Sequence, residues 1–116
     1  MRRDELFLLD MLEAADRIAS RIAGRDPASV TADEDLQDVI LRRLTVIGEA
    51  AGQLSEDLRS RHPEVPWKQA IGLRHRVTHG YFGLDWAIIW KTITQDLPVL
   101  RRKVADVLRV EFPQQR

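Results

Sequence analysis

From Asp4 to about Ala23, the residues Leu8, Met11, Leu12, Ala15, Ile18, Ala19 and Ile22 recur at three- and four-residue spacing with Arg, Asp and Glu between them. That is the period of an α-helix with one buried face. Gly24 suits the turn out of that helix, and "GRDPASVTADED" reads as a polar connector closed by a Thr or Asp able to cap the next helix. In that second helix Leu36, Ile40, Leu44, Ile47, Ala51, Leu54 and Leu58 step by four or three, the cleanest stripe in the chain. It ends where His62 and "PEVPW" bring two prolines, of which Pro66 can open a third, shorter helix running to about His79, with Gly80 free to turn out of it. Asp85 can cap a last long helix carrying Trp86, Trp90, Ile93, Leu97, Leu100, Val104 and Val107, bent at Pro98 and frayed at "EFPQQR". The prediction is an all-α fold, an antiparallel four-helix bundle with a bent C-terminal helix, formed by residues 1–116 as a single domain.

At 116 residues the chain can build a core yet leave apolar surface for an oligomer. Its 18 basic and 18 acidic side chains cancel, so any anion binding must be local rather than driven by a protein-wide field. The absence of cysteine removes disulfides, thiolate metal sites and cysteine nucleophiles, and suits a reducing cytoplasm. "MRRDELFLLDML" carries acids within its apolar stretch and reads as an amphipathic helix, neither a signal peptide nor a membrane span.

One stretch breaks the even mixing of charge. "LRHRVTHGYFGLDW", residues 73–86, holds Arg74, His75, Arg76, His79 and Tyr81, and from Trp67 to Leu84 there are Lys68, Arg74 and Arg76 but no acid. A guanidinium can hold a phosphodiester by paired hydrogen bonds and stabilise the charge that builds on phosphorus. An imidazole titrating near neutrality can take a proton from a nucleophilic hydroxyl or give one to the leaving oxygen. Together they suffice for metal-free RNA cleavage through the 2′-hydroxyl. Arg74 and His79 stand five residues apart, about 140° around an ideal helix. Either the helix loosens at Thr78 to bring them together, or each meets its counterpart from a second subunit across a two-fold axis. Two plainer readings compete: basic residues collect at helix C-termini because the macrodipole favours them, and His75 with His79 at i and i+4 can ligate zinc, with distant His62 or a carboxylate completing the set.

"RHRVTHGYF" resembles the R-x4-H-x-Y motif of the HEPN superfamily, specifically its HepT-like toxins encoded beside a small MNT-type nucleotidyltransferase antitoxin. "RRLTVIGEAAGQL", "HPEVPW", "GLRHRVTHGYFGLDWAIIW" and "DLPVL" are similar to stretches of that family in the same order, so the likeness covers essentially the whole chain. The resemblance implies a helical homodimer whose Arg and His share a composite cleft, acting as a metal-independent endoribonuclease that slows growth and needs no cofactor. It casts Arg74 as the residue that binds and polarises the scissile phosphate and His79 as the acid or base. The position after the arginine is most often Asn in that family; here it is His75, a supporting residue that brings a second titratable ring. Tyr81 matches the tyrosine that the partner is understood to adenylylate, and a phosphate there would compete with RNA for Arg74. Lys68 and Arg76 are candidates for further RNA contacts.

Other features carry simpler readings beside functional ones. Gly48, Ala51, Gly52 and Ser55 let another helix come close, within the chain or from a second subunit. Glu49 sits opposite the apolar stripe and reads as solvated or as the partner of an arginine at an interface. Trp67, Trp86 and Trp90 read as core or interface anchors, and Arg101, Arg102 and Lys103 as a solvated face. The rivals to a nuclease are a catalytically idle helical module that binds, and is modified by, the nucleotidyltransferase, and a bundle whose basic stretch binds a nucleotide without cleaving it.

Overall fold

The computed structural model describes residues 2–79 and 84–113, and for Arg2 and residues 75–79 the backbone alone. The described elements are α1 (Arg2–Ile22), α2 (Pro27–Thr31), α3 (Glu34–Gln53), α4 (Glu56–Arg61), α5 (Trp67–His79), α6 (Trp86–Lys91), a π-helical turn (Thr92–Asp96) and α7 (Leu97–Glu111). Among the described residues there is no strand. None of the described helices is long and apolar enough to cross a membrane.

Side-chain pairs fix the directions of the helices. Asp4 at the start of α1 meets Ser55 just past the end of α3, so these helices run oppositely. Gly48 of α3 lies against Arg74, and Gly52 against Ile71, so α5 is antiparallel to α3. Asp16 of α1 pairs with Arg101, while Glu111 at the end of α7 returns to Arg61 beside the α1 N-terminus. The result is the predicted antiparallel bundle. The α3 stripe is buried at every predicted position, and Leu8, Ile18, Ile40, Ile47 and Leu58 are almost wholly enclosed.

Three local features depart from the expectation. The connector after Gly24, whose φ is +74°, is not all loop: Asp26 accepts from Ser29 N–H at 2.8 Å in a reciprocal cap that starts α2 at Pro27 and buries Val30. Asp33 then caps α3 through Leu36 N–H and is held at 2.9 Å by Arg25, whose hydrogen bond lowers the Asp33 pKa. The second predicted helix is two, because Leu54 and Ser55 turn extended and the Ser55 hydroxyl accepts from Leu58 N–H to start α4. Asp4, itself 5% exposed, accepts from Ser55 N–H at 2.9 Å and from its hydroxyl at 2.7 Å. Finally, the irregularity expected at Pro98 takes the form of the π turn just before it. Proline has no N–H to give Thr94, and Leu97 N–H already reaches back five residues to Thr92.

Of the stretch expected to fray, residues 114–116 lie outside the described residues, and the start is held. Glu111 binds Arg61 and His62, and Phe112 packs on the core with its N–H donated to Leu108.

Candidate functional site

Residues 73–79 of the stretch that stands out in the sequence lie on α5, whose first turns are anchored in the core. Trp67, 8% exposed, donates its indole N–H to the His62 carbonyl at 2.9 Å, and Ala70 N–H bonds to the Pro66 carbonyl. Trp67, Ala70 and Leu73 are buried at three-residue intervals, which turns one side of α5 into the core. Arg74, next in the chain, is exposed.

The backbone of Arg74 is seated on α3. A methyl group built on Gly48 would come within 2.8 Å of Arg74 N, 3.0 Å of Arg74 Cβ and 3.1 Å of the Ile71 carbonyl oxygen. The same group on Gly52 would meet only Ile71 Cγ2, at 4.0 Å. Of the four small residues, Gly48 admits α5, Ala51 is fully buried, Gly52 is exposed, and Ser55, past the end of α3, caps α4.

Helix α5 remains α-helical through His79, with no loosening at Thr78. The positions of Arg74 and His79 are then separated by about 7.5 Å of rise and about 140° of rotation. His75, Arg76 and His79 are placed on this helix by their backbone, their side chains lying outside those described, and Tyr81 lies outside the described residues altogether. Lys68 is exposed on the first turn of α5 and lines an open depression of about 450 Å³ with Arg59, Ser60, Trp67, Ile71 and Glu56. Arg59, which no motif in the sequence singles out, has its Nε buried there with no hydrogen-bond partner among the described residues.

Other candidates are engaged elsewhere. His62, considered as a distant metal ligand, has Nε2 2.6 Å from Glu111 and Nδ1 3.4 Å from Glu64. Among the described residues no group of three or more His, Asp or Glu side chains is gathered to hold a metal ion. Trp86 and Trp90 pack partly buried against the core, and Glu49 is exposed. The basic run on α7 is only partly a solvated face: Arg102 is exposed, but Arg101 is held by Asp16 at 2.9 Å, which raises its pKa, and Lys103 donates to the Glu64 carbonyl.

Comparison with known proteins adds an independent line. The profile of the family described as "Ribonuclease HepT-like" matches residues 11–107, from the second half of α1 nearly to the end of α7. A Methanocaldococcus jannaschii protein named "Putative RNase MJ1380" is 34% identical over 107 residues, which are 91% of this chain and 98% of that protein. "Putative RNase TTE0752" of Caldanaerobacter subterraneus subsp. tengcongensis is 32% identical over 96% of this chain and 99% of its own length. "Probable ribonuclease HepT" of Thermococcus cleftensis is 38% identical over 61% of this chain and 64% of that protein. No solved structure matches to a significant degree. Within an all-helical bundle that presents an Arg-x4-His pair on one helix, a profile spanning nearly the whole chain settles the lineage: this protein belongs to the HepT-like ribonuclease family.

Proposed function

We propose that this chain is a metal-independent endoribonuclease, the toxin half of a cytoplasmic pair whose other half is an MNT-type nucleotidyltransferase. Its cleavage site is shared by two subunits, each providing Arg74 and His79. The observation that carries this reading is the continuity of α5 through His79. On an unbroken helix the two positions diverge by about 140°, so an arginine from one subunit and a histidine from its two-fold mate provide the straightforward route to a common phosphate. Membership of a ribonuclease family and the names of the relatives support the substrate class.

In the reaction the RNA 2′-oxygen attacks its own phosphorus and the bond from phosphorus to the 5′-oxygen of the next nucleotide breaks. The products are a cyclic phosphate end and a 5′-hydroxyl. The Arg74 guanidinium binds the non-bridging oxygens and offsets their growing charge. The His79 imidazole takes the 2′-hydroxyl proton or returns one to the departing oxygen, with His75 hydrogen-bonding beside it. Adenylylation of Tyr81 by the partner places phosphate next to the cleft and closes it to RNA.

Protein freed of its partner is expected to cut single-stranded RNA in excess EDTA and leave the cyclic end. Loss of cutting in EDTA with recovery in zinc would replace this reading with the metal site of His75 and His79. Arg74→Ala and His79→Ala homodimers are each expected to be inactive. Mixing and reassembling them should restore about a quarter of wild-type activity, because half the dimers then hold one intact Arg–His pair of the two in the shared cleft. No recovery on mixing would mean that each subunit uses its own pair. With the partner enzyme and ATP, AMP-sized mass additions should appear and be absent in Tyr81→Phe; additions unchanged in that variant would place the modification elsewhere.

A further inference from the structure

We infer that Gly48 of α3 is a positioning residue for cleavage: it is the seat that fixes how deeply the Arg74 backbone sits, and hence where the guanidinium reaches the phosphate. The inference rests on the role given to Arg74 above, and goes beyond it by assigning the function of a residue that makes no contact with RNA.

Glycine is a poor choice in the middle of a helix, since alanine loses less chain entropy on folding and forms helices better. Gly48 stands well inside α3, among the buried residues Leu44, Ile47, Ala50 and Ala51. Its backbone needs no glycine, because the only residue with positive φ among those described is Gly24. What demands glycine is the neighbour. An added methyl would lie 2.8 Å from Arg74 N, closer than such atoms approach, and 3.1 Å from the Ile71 carbonyl oxygen, tighter than most such contacts. Both are backbone atoms of a hydrogen-bonded helix and cannot swing aside as a side-chain tip would. The methyl can be accommodated only by moving α5 away from α3 at Arg74. Gly52, one turn later on the same helix, meets nothing closer than 4.0 Å. The close approach is therefore confined to the level of the arginine, whereas general tightening of the α3–α5 pair would crowd both glycines. Catalysis falls steeply when reacting groups are misplaced by an ångström, so this contact converts packing into rate.

The test compares Gly48→Ala with Gly52→Ala on a defined RNA substrate. Gly52→Ala adds helix propensity without a close contact, so it is the control. It is also the stabilised background in which Gly48→Ala is remade if that variant alone melts below the assay temperature. We expect Gly52→Ala to cut at the wild-type rate. Gly48→Ala should remain folded and dimeric with kcat at least tenfold lower and KM within about twofold. In an Arg74→Ala background, Gly48→Ala should cost nothing further, because the residue through which it acts is gone. Wild-type kcat in Gly48→Ala, an equal additional loss on top of Arg74→Ala, or failure to fold even in the Gly52→Ala background would overturn the inference. These outcomes differ from failure of the proposed function, in which Arg74→Ala itself would cut as fast as the wild type.

Discussion

Where α7 ends, Glu111 receives Arg61 at 2.8 Å and His62 at 2.6 Å, while Arg61 also holds Asp57 and the Trp67 indole closes over the His62 carbonyl. Earlier in the chain, α5 carries Arg74, His75 and Arg76 in a segment with no acid from Trp67 to Leu84. The same side-chain types, arginine and histidine, thus occur in two settings. At the closed end Arg61 and His62 both meet Glu111, and its carboxyl is pulled down to about 2, first by the Arg61 hydrogen bond and then by that of His62. On α5 the helix itself is seated on glycine, Gly48 of α3 lying against the Arg74 backbone. A cation matched with an acid from another helix joins the two helices, whereas the α5 backbone is joined to α3 by the close approach at Gly48.

The strongest way to break this contrast is at Arg74. Arg74→Ala should lower kcat about 10²–10³-fold, the usual cost of removing one donor to a transition-state oxygen, and leave the unfolding midpoint within about a degree, since an exposed side chain carries little of the fold. A large drop in the midpoint with normal cleavage would exchange the roles of the two regions.

Next in size is the joint beside the closed end. Asp4→Ala leaves the Ser55 N–H and hydroxyl without their buried acceptor, and should cost about 2–3 kcal/mol in denaturant unfolding. Cleavage per folded molecule should not change. A smaller effect is expected from Glu111→Gln, which lowers the melting temperature by a few degrees at neutral pH and flattens its acid dependence. The sign follows from the lowered pKa. The Glu111 contribution is complete above the ordinary carboxylate range and is lost as pH falls from 4.5 towards about 2. Wild type and Glu111→Gln should therefore converge in melting temperature across that window, and parallel curves would show that Glu111 is not the group responsible.

Much of this arrangement is readable from the chain. The α3 stripe, the Asp85 cap with its bonds to Ala87 and Ile88 N–H, Pro66 before α5 and the positive φ of Gly24 all obey local rules of period and capping. The break at Ser55 escapes such rules because Leu54 and Leu58 keep a four-residue step across it, so periodicity alone reads straight through. Its signal is Ser55 followed by Glu56 and Asp57, a cap with acids in the first turn. Helix α2 is hidden in the same way behind Asp26 and Pro27, which look like loop residues until Ser29 closes the box. The pairing of Glu111 with Arg61 and His62 joins positions some fifty residues apart, and no local pattern encodes it. At the site, residue type and spacing point to Arg74 and His79, and the glycine of α3 is visible as a place of close approach. That its neighbour is Arg74 emerges only when the two helices are packed.

The smallest effect should come from the far end of α5. Lys68 is six residues before Arg74, about 9 Å along the helix axis, and shares its depression with Arg59, whose buried Nε lacks a partner among the described residues. An RNA strand held at Arg74 and extending towards the α5 N-terminus would bring a neighbouring phosphate over Lys68, with Glu56 on the same rim keeping the attraction modest. Lys68→Gln should then raise KM about two- to fivefold at moderate salt, leave kcat unchanged, and lower the slope of log KM against log salt concentration by about 0.7, the value of one phosphate contact on a single strand. A substrate too short to extend beyond the scissile bond should not register the change. An unaltered salt slope on long RNA would direct the strand over another face and confine the functional positive charge to Arg74 and its immediate neighbours.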